Sequence, residues 1–224
     1  MVGAALAGYC SDNKYSLLGG LRAASQMVSY EVTLGLSLIG CFMLYNSLLL
    51  EDMVQWQTHH EVLGVHLWGI LVQPLAFILF FTASIAETKR IPFDVPEGES
   101  ELAAGYFTEY SGMKFGMFMM GEYIEIVATS CLITALFLGG YDVPFHHYMA
   151  THWTHLTVTV LDVVNFMIKV VFLCWLNLMI RWSLPRFRYD QIMSLCWRYM
   201  LPLSLANIFF TGIFILLFPK LFGP

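Results

Sequence analysis

Charge is what this sequence has least of. Only 12% of its 224 residues are Asp, Glu, Lys or Arg, against about a quarter in an ordinary soluble domain. With 58% hydrophobic residues and a mean hydropathy of +0.67, that deficit marks an integral membrane protein. An excess of basic residues is also missing. The net charge of −5 excludes the positive surface by which proteins hold nucleic acid. The five cysteines are scattered, odd in number and form no CxxC pair. They are read as small apolar packing residues, and no metal site or disulfide is expected. There is no nucleophile elbow, P-loop, GxGxxG fingerprint or CxxCH, so the chain alone is expected to do no covalent chemistry. The start, MVGAALAG, lacks a signal peptide's basic residues and is too short to span. His146, His147, His152 and His155 fit no HExxH or zinc spacing and are read as interfacial loop residues.

What is present is a set of long apolar runs. Five are long enough to cross about 30 Å of hydrocarbon: residues 27–50, 62–85, 115–139, 156–182 and 196–218. Residues 1–9 read as the last turns of a sixth span. The fold expected is an all-α membrane protein, a single domain over 1–224. Lys14, Arg22, Lys89, Arg90, Lys114, Arg181, Arg186, Arg188 and Arg198, nine of the 11 basic residues, fall in alternate connections. Connections 51–61 and 140–155 contain no Lys or Arg. The positive-inside rule therefore puts the basic connections on the cytoplasmic or matrix side.

The few acids are not spread evenly. Residues 86–110, AETKRIPFDVPEGESELAAGYFTEY, hold six of the 16: Glu87, Asp94, Glu97, Glu99, Glu101 and Glu109. Pro92, Pro96 and Gly98 exclude one continuous helix there. The expected form is a structured loop with a short helix near Glu99–Ala104. The plain alternative is a solvated connection. Further acids sit at membrane depth, where an isolated charge costs several kcal/mol. Glu31 lies in a span beside Ser25, Gln26 and Ser29, and Glu122 and Glu125 are three residues apart in another. No basic residue lies one turn from Glu31 or Glu122, so each reads as a desolvated carboxyl able to exchange protons near neutral pH. Asp162, Asn165 and Lys169 share one helix face, and Asp162 with Lys169 reads either as a packing ion pair or as a functional pair.

The acidic stretch, continued by SGMKF and GEY, resembles the signature of the NuoH-type quinone-site membrane subunit of respiratory complex I. KYSLLGGLRAASQMVSYE and SLPRFRYDQIMSLCWRYMLPL are similar to two further motifs of that family, in the same order. The resemblance implies the heel of a membrane arm that, with two peripheral subunits, encloses a quinone tunnel. It implies quinone, ubiquinone foremost, as substrate, and iron–sulfur clusters on partner subunits. Glu31, Glu87, Asp94, Glu97, Glu99, Glu101, Glu109 and Glu122 match a proton-coupling path, Arg90 and Phe93 the quinone cavity, and Arg186, Arg188 and Asp190 the docking site of the peripheral arm. Partners implied are other membrane subunits of the complex, membrane lipids, and a separate chain supplying the family's N-terminal spans. That split favours the mitochondrial inner membrane over a bacterial plasma membrane. Lys89 departs from the family's Asn. The rivals are the related membrane subunit of nickel–iron hydrogenases and a stand-alone proton or cation transporter.

Topology gives the first prediction. Single cysteines replacing Ser100 and Thr151, in a background without native cysteines, label from opposite faces with an impermeant thiol reagent. Labelling of both from one face contradicts the alternation.

Overall fold

The computed structural model describes residues 2–59, 61–62, 65–95, 98, 105–142 and 155–217. Its elements in chain order are α1 (Val2–Cys10), α2 (Lys14–Tyr45), α3 (Leu50–His59), the two-residue antiparallel strands β1 (Glu61–Val62) and β2 (Val65–His66), α4 (Gly69–Val72), α5 (Pro74–Glu87), a 3₁₀ turn (Gly105–Phe107), α6 (Gly112–Phe137), α7 (His155–Ser183) and α8 (Tyr189–Leu217). Among the described residues four helices are long and apolar enough to cross a membrane: α2, α6, α7 and α8.

The central post is α2. Asn13 caps its start, Oδ1 accepting from the Tyr15 N–H at 3.1 Å. Its end is Asn46, left-handed at φ +51, whose N–H donates to the Phe42 carbonyl at 3.0 Å; Asn is among the few residues that tolerate this conformation. Helices α1, α5 and α8 and the 3₁₀ turn all pack on it. Around its middle Tyr30, Ala83, Phe93, Ile192 and Cys196 form one core. Around its C-terminal end Cys41, Leu44, Phe80, Ile133 and Phe137 form another. A third joins α1 to the 3₁₀ turn through Ala7, Ala23, Tyr106 and Phe107.

One expected span is not a single helix. Residues 62–85 become β2, α4 and the 14-residue α5, which rises only about 21 Å. Pro74 cannot donate to an upstream carbonyl, so the helix restarts with Pro74 as its first residue. Gln73 fills the break. Its backbone N–H donates to the Gly69 carbonyl at 2.8 Å and its carbonyl accepts from Phe77 at 3.1 Å. Its side-chain amide donates to the Gly40 carbonyl at 3.0 Å and to Thr211 Oγ1 at 3.1 Å. A second irregularity is in α8, where Leu195–Met200 is a π-helical turn. Pro202 lacks an N–H and its ring crowds the carbonyl four residues back, Arg198, within that widened turn. The connection expected over 51–61 contains α3, and the short helix expected near Glu99–Ala104 lies outside the described residues.

Small residues let the backbones meet, as membrane helices require. A methyl group on Gly19 would stand 2.9 Å from both the Gly105 Cα and the Tyr106 N. Gly19→Ala therefore costs about 1–3 kcal/mol, read as a lower thermal midpoint of the detergent-solubilised protein. Gly35, with nothing within 4 Å, is the control. Equal midpoints for Gly19→Ala and Gly35→Ala contradict this packing.

Candidate functional site

The site is built where the chain leaves α5. Thr88 closes the helix, its N–H donating to the Ser84 carbonyl at 3.1 Å and its Oγ1 to the Ile85 carbonyl at 3.0 Å. Lys89 then turns the chain at φ +53. From there Gln26 on α2 holds the returning strand: its Nε2 donates to the Ala86 carbonyl and to the Phe93 carbonyl, both at 2.9 Å. Phe93 is only 3% exposed, its ring tilted against Tyr30 and Phe187 with centroids 5.7 Å from each. Phe93 is thus a core residue of this loop. Gln26, read from the sequence only as one polar group among several, fixes the loop on the helix.

This clamp presents Arg90 to α6. Arg90 Nη2 lies 3.0 Å from Glu122 Oε2, both side chains largely buried, with the guanidinium 4.8 Å from the centre of the Tyr123 ring. The sequence offered Glu122 no cation within a turn; the structure supplies one from the loop. The buried carboxylate is therefore paired, which corrects its reading as an isolated desolvated acid. Asp94 is buried as well and accepts from Arg186 Nη2 at 2.7 Å, while the Phe187 N–H donates to the Pro92 carbonyl at 3.1 Å. Arg186 thus ties the α7–α8 connection to the acidic loop. Arg188 and Asp190 are exposed beside it.

Other acids take different surroundings. Glu87 is half-buried and lies within electrostatic range of Glu31 and Glu125. Glu31 is exposed on the surface of α2. Glu109 is exposed and accepts from Asn13 Nδ2 at 3.1 Å. Lys89 lies near Glu125 and donates to the Tyr106 hydroxyl at 3.3 Å. Glu97, Glu99 and Glu101, and His146, His147 and His152, lie outside the described residues. Among the described residues no group of three His, Cys, Asp or Glu is placed to hold a metal ion. Asp162 is not the partner of the Lys169 ammonium, which reaches backbone carbonyls instead.

Beside the Arg90–Glu122 pair a cavity of about 160 Å³ opens between α5, α6 and α7. Its walls are mostly apolar, with Ile85, Ile126 and Val127, and Arg90, Asn177 and Arg181 supply polar groups. This is the composition of sites that take a largely apolar molecule and orient it by a few polar contacts.

A profile of the NADH dehydrogenase family matches residues 1–212. This chain belongs to that family. It is 44% identical over 216 residues to an NADH-quinone oxidoreductase subunit of Cytophaga hutchinsonii, covering 96% of this chain and 61% of that one. It is 48% identical over 214 residues to the corresponding NADH-quinone oxidoreductase subunit of Thermomicrobium roseum, covering 94% and 59%. The chain spans about three-fifths of the length of these relatives. Lys89 is left-handed, a conformation that Asn adopts more readily than Lys.

The buried ion pair makes the third prediction. Removing one partner of such a pair costs about 3–5 kcal/mol, while replacing both by apolar residues is often near neutral. Arg90→Met lowers the thermal midpoint strongly, and Arg90→Met combined with Glu122→Leu recovers most of the loss. A double variant that loses the sum of the two single losses contradicts a direct pair.

Proposed function

We propose that this chain is a membrane subunit of a proton-translocating NADH:quinone oxidoreductase, in which it forms part of the quinone cavity and of the acidic path that couples quinone reduction to proton movement. The observation that carries this reading is the contact between Arg90, on the acidic loop, and Glu122, inside a span. It joins the loop acids to the intramembrane acids through one charge. In this reading the quinone passes the cavity beside that pair, and partner subunits hold the iron–sulfur clusters that deliver electrons. Reduction to quinol takes up two protons. A proton drawn toward the cavity weakens the Arg90–Glu122 attraction, and interacting acids titrate as a group. Glu87, placed near both Glu31 and Glu125, passes the change toward the exposed surface of α2, where other membrane subunits would cover Glu31. Asp94, Glu97, Glu99, Glu101 and Glu109 form the loop part of the path, and Arg186, Arg188 and Asp190 face the peripheral arm. The relatives' organisms favour a bacterial plasma membrane over the mitochondrial inner membrane. Ubiquinone remains the substrate assigned by resemblance.

Glu122→Gln keeps shape and removes the titratable charge. Quinone reductase activity of the assembled complex falls at least about tenfold, roughly 1.4 kcal/mol of barrier, while assembly persists. Glu125→Gln is milder. Negligible effects of both remove Glu122 from the path.

A further inference from the structure

Helix α6 carries Glu122; its first turns meet the 3₁₀ turn through ring contacts of Phe115 and Phe118 with Tyr106, Phe107 and Tyr110, while its hydrogen-bonded anchor is at its other end. From Gly112 to Thr129 its only buried residue is Glu122, and Ser111 makes no side-chain cap at its start. Beyond Thr129 the helix is gripped from several elements. Tyr45 Oη donates to the Leu136 carbonyl at 2.8 Å. Gln57 Nε2 donates to the Ala135 carbonyl at 3.1 Å, and Gln57 Oε1 accepts from the Gly139 N–H at 3.1 Å and from the Gly69 N–H at 2.9 Å. Asn165 Nδ2 on α7 donates to the Tyr141 and Asp142 carbonyls at 3.1 and 2.8 Å.

The strongest of these grips is a cation. Gly139 and Gly140, at φ +71 and +57, turn the chain left-handed, so that the carbonyls of Leu138, Gly140 and Asp142 converge. Lys169 Nζ donates to all three, at 2.7, 3.1 and 2.7 Å. An ammonium has three protons, and here each has an acceptor. The Trp68 ring lies under it, its centre 4.8 Å away. A positive charge at a helix C-terminus also complements the helix dipole. The Asp142 carboxylate faces His66 Nδ1 at 3.6 Å and accepts from Trp68 Nε1 at 3.3 Å.

We propose that Lys169 is a positioning residue for Glu122. Its ammonium acts as a built-in cation in a carbonyl cage, fixing the outer end of α6 and so the axial position at which Glu122 meets Arg90. Fifteen residues separate Glu122 from Phe137, about 22 Å of helix, and a helix transmits a shift at one end to the other. Lys169→Ala takes the ammonium from all three carbonyls in a low-dielectric setting, and only that of Asp142 keeps another side-chain donor, Asn165. The turn then rearranges, and α6 moves with it. Only the activity arm of the test rests on the proposed coupling role of Glu122.

The position of α6 is read by crosslinking in the intact complex. Arg90→Cys with Glu122→Cys, in a background without native cysteines, removes the ion pair and leaves the placement of the helix to the ring contacts of Phe115 and Phe118 and to the anchor at its C-terminal end. Adding Lys169→Ala lowers the rate of crosslinking by a short bifunctional thiol reagent at least about fivefold, a coupling of the size that remote positioning residues exert. n-Propylammonium, the fragment excised by that substitution, restores the rate, and tetramethylammonium, which has no proton to donate, does not. An unchanged rate in Lys169→Ala, or equal rescue by both cations, overturns the proposal. Should Lys169→Ala block assembly, Lys169→Gln, which keeps two donors and no charge, gives the same readout. With Arg90 and Glu122 native, Lys169→Ala lowers kcat, leaves the quinone KM unchanged and adds no loss to Glu122→Gln; additive losses also overturn the proposal. A silent Glu122→Gln defeats the coupling reading, and the crosslinking rate then decides this one.

Discussion

A backbone N–H or C=O left without a partner inside hydrocarbon costs several kcal/mol, and this fold departs from continuous helix at several places near or within the membrane. Several of these departures are answered by a long polar side chain. Gln26 takes the Ala86 and Phe93 carbonyls where the chain leaves α5. Gln73 sits in the break before α5 and bonds across to α2 and α8. Gln57 takes the N–H groups of Gly69, at the start of α4, and of Gly139, in the turn after α6, and Lys169 takes the carbonyls of that second turn. Three amides and one ammonium thus hold the irregular backbone, and the apolar cores fill the space between.

The chemistry of the site follows from that constraint. An acidic loop in water would hold its carboxylates anywhere. Its residues 86–95 are pinned by Gln26 and by Phe93 between two aromatic rings, and this delivers Arg90 to Glu122 at 3.0 Å. Two buried charges in contact are costly to desolvate and are weak evidence for stability in themselves. Their value lies in sensitivity: a change of charge nearby shifts the balance of a pair that is held in place by other groups. Asp94 and Arg186 repeat the arrangement, 2.7 Å apart.

Much of this was legible in the sequence. The lengths of the apolar runs located α6 and α7 within a few residues, because length and composition decide what crosses a bilayer; α2 and α8 were found, but both begin well before their apolar runs, at Lys14 and Tyr189, because their first turns carry polar residues. The acidic stretch and its neighbours identified the family. The break at Gln73 was missed, because hydropathy does not distinguish an unbroken helix from one interrupted by Pro74. The Arg90–Glu122 pair was missed because the partners are 32 residues apart and one lies on a loop whose path no periodicity encodes. Asn165 and Lys169 were correctly placed on one helix face, but their partners are backbone carbonyls, which leave no trace in sequence.

The central claim is that Glu122 changes protonation as the quinone changes redox state. Infrared difference spectroscopy of the assembled complex, between oxidised and reduced quinone, reads this directly in the carboxyl carbonyl-stretch region. The account predicts a carboxyl difference band that is lost in Glu122→Gln and perturbed in Arg90→Lys. A difference spectrum in that region identical for wild type and Glu122→Gln contradicts it.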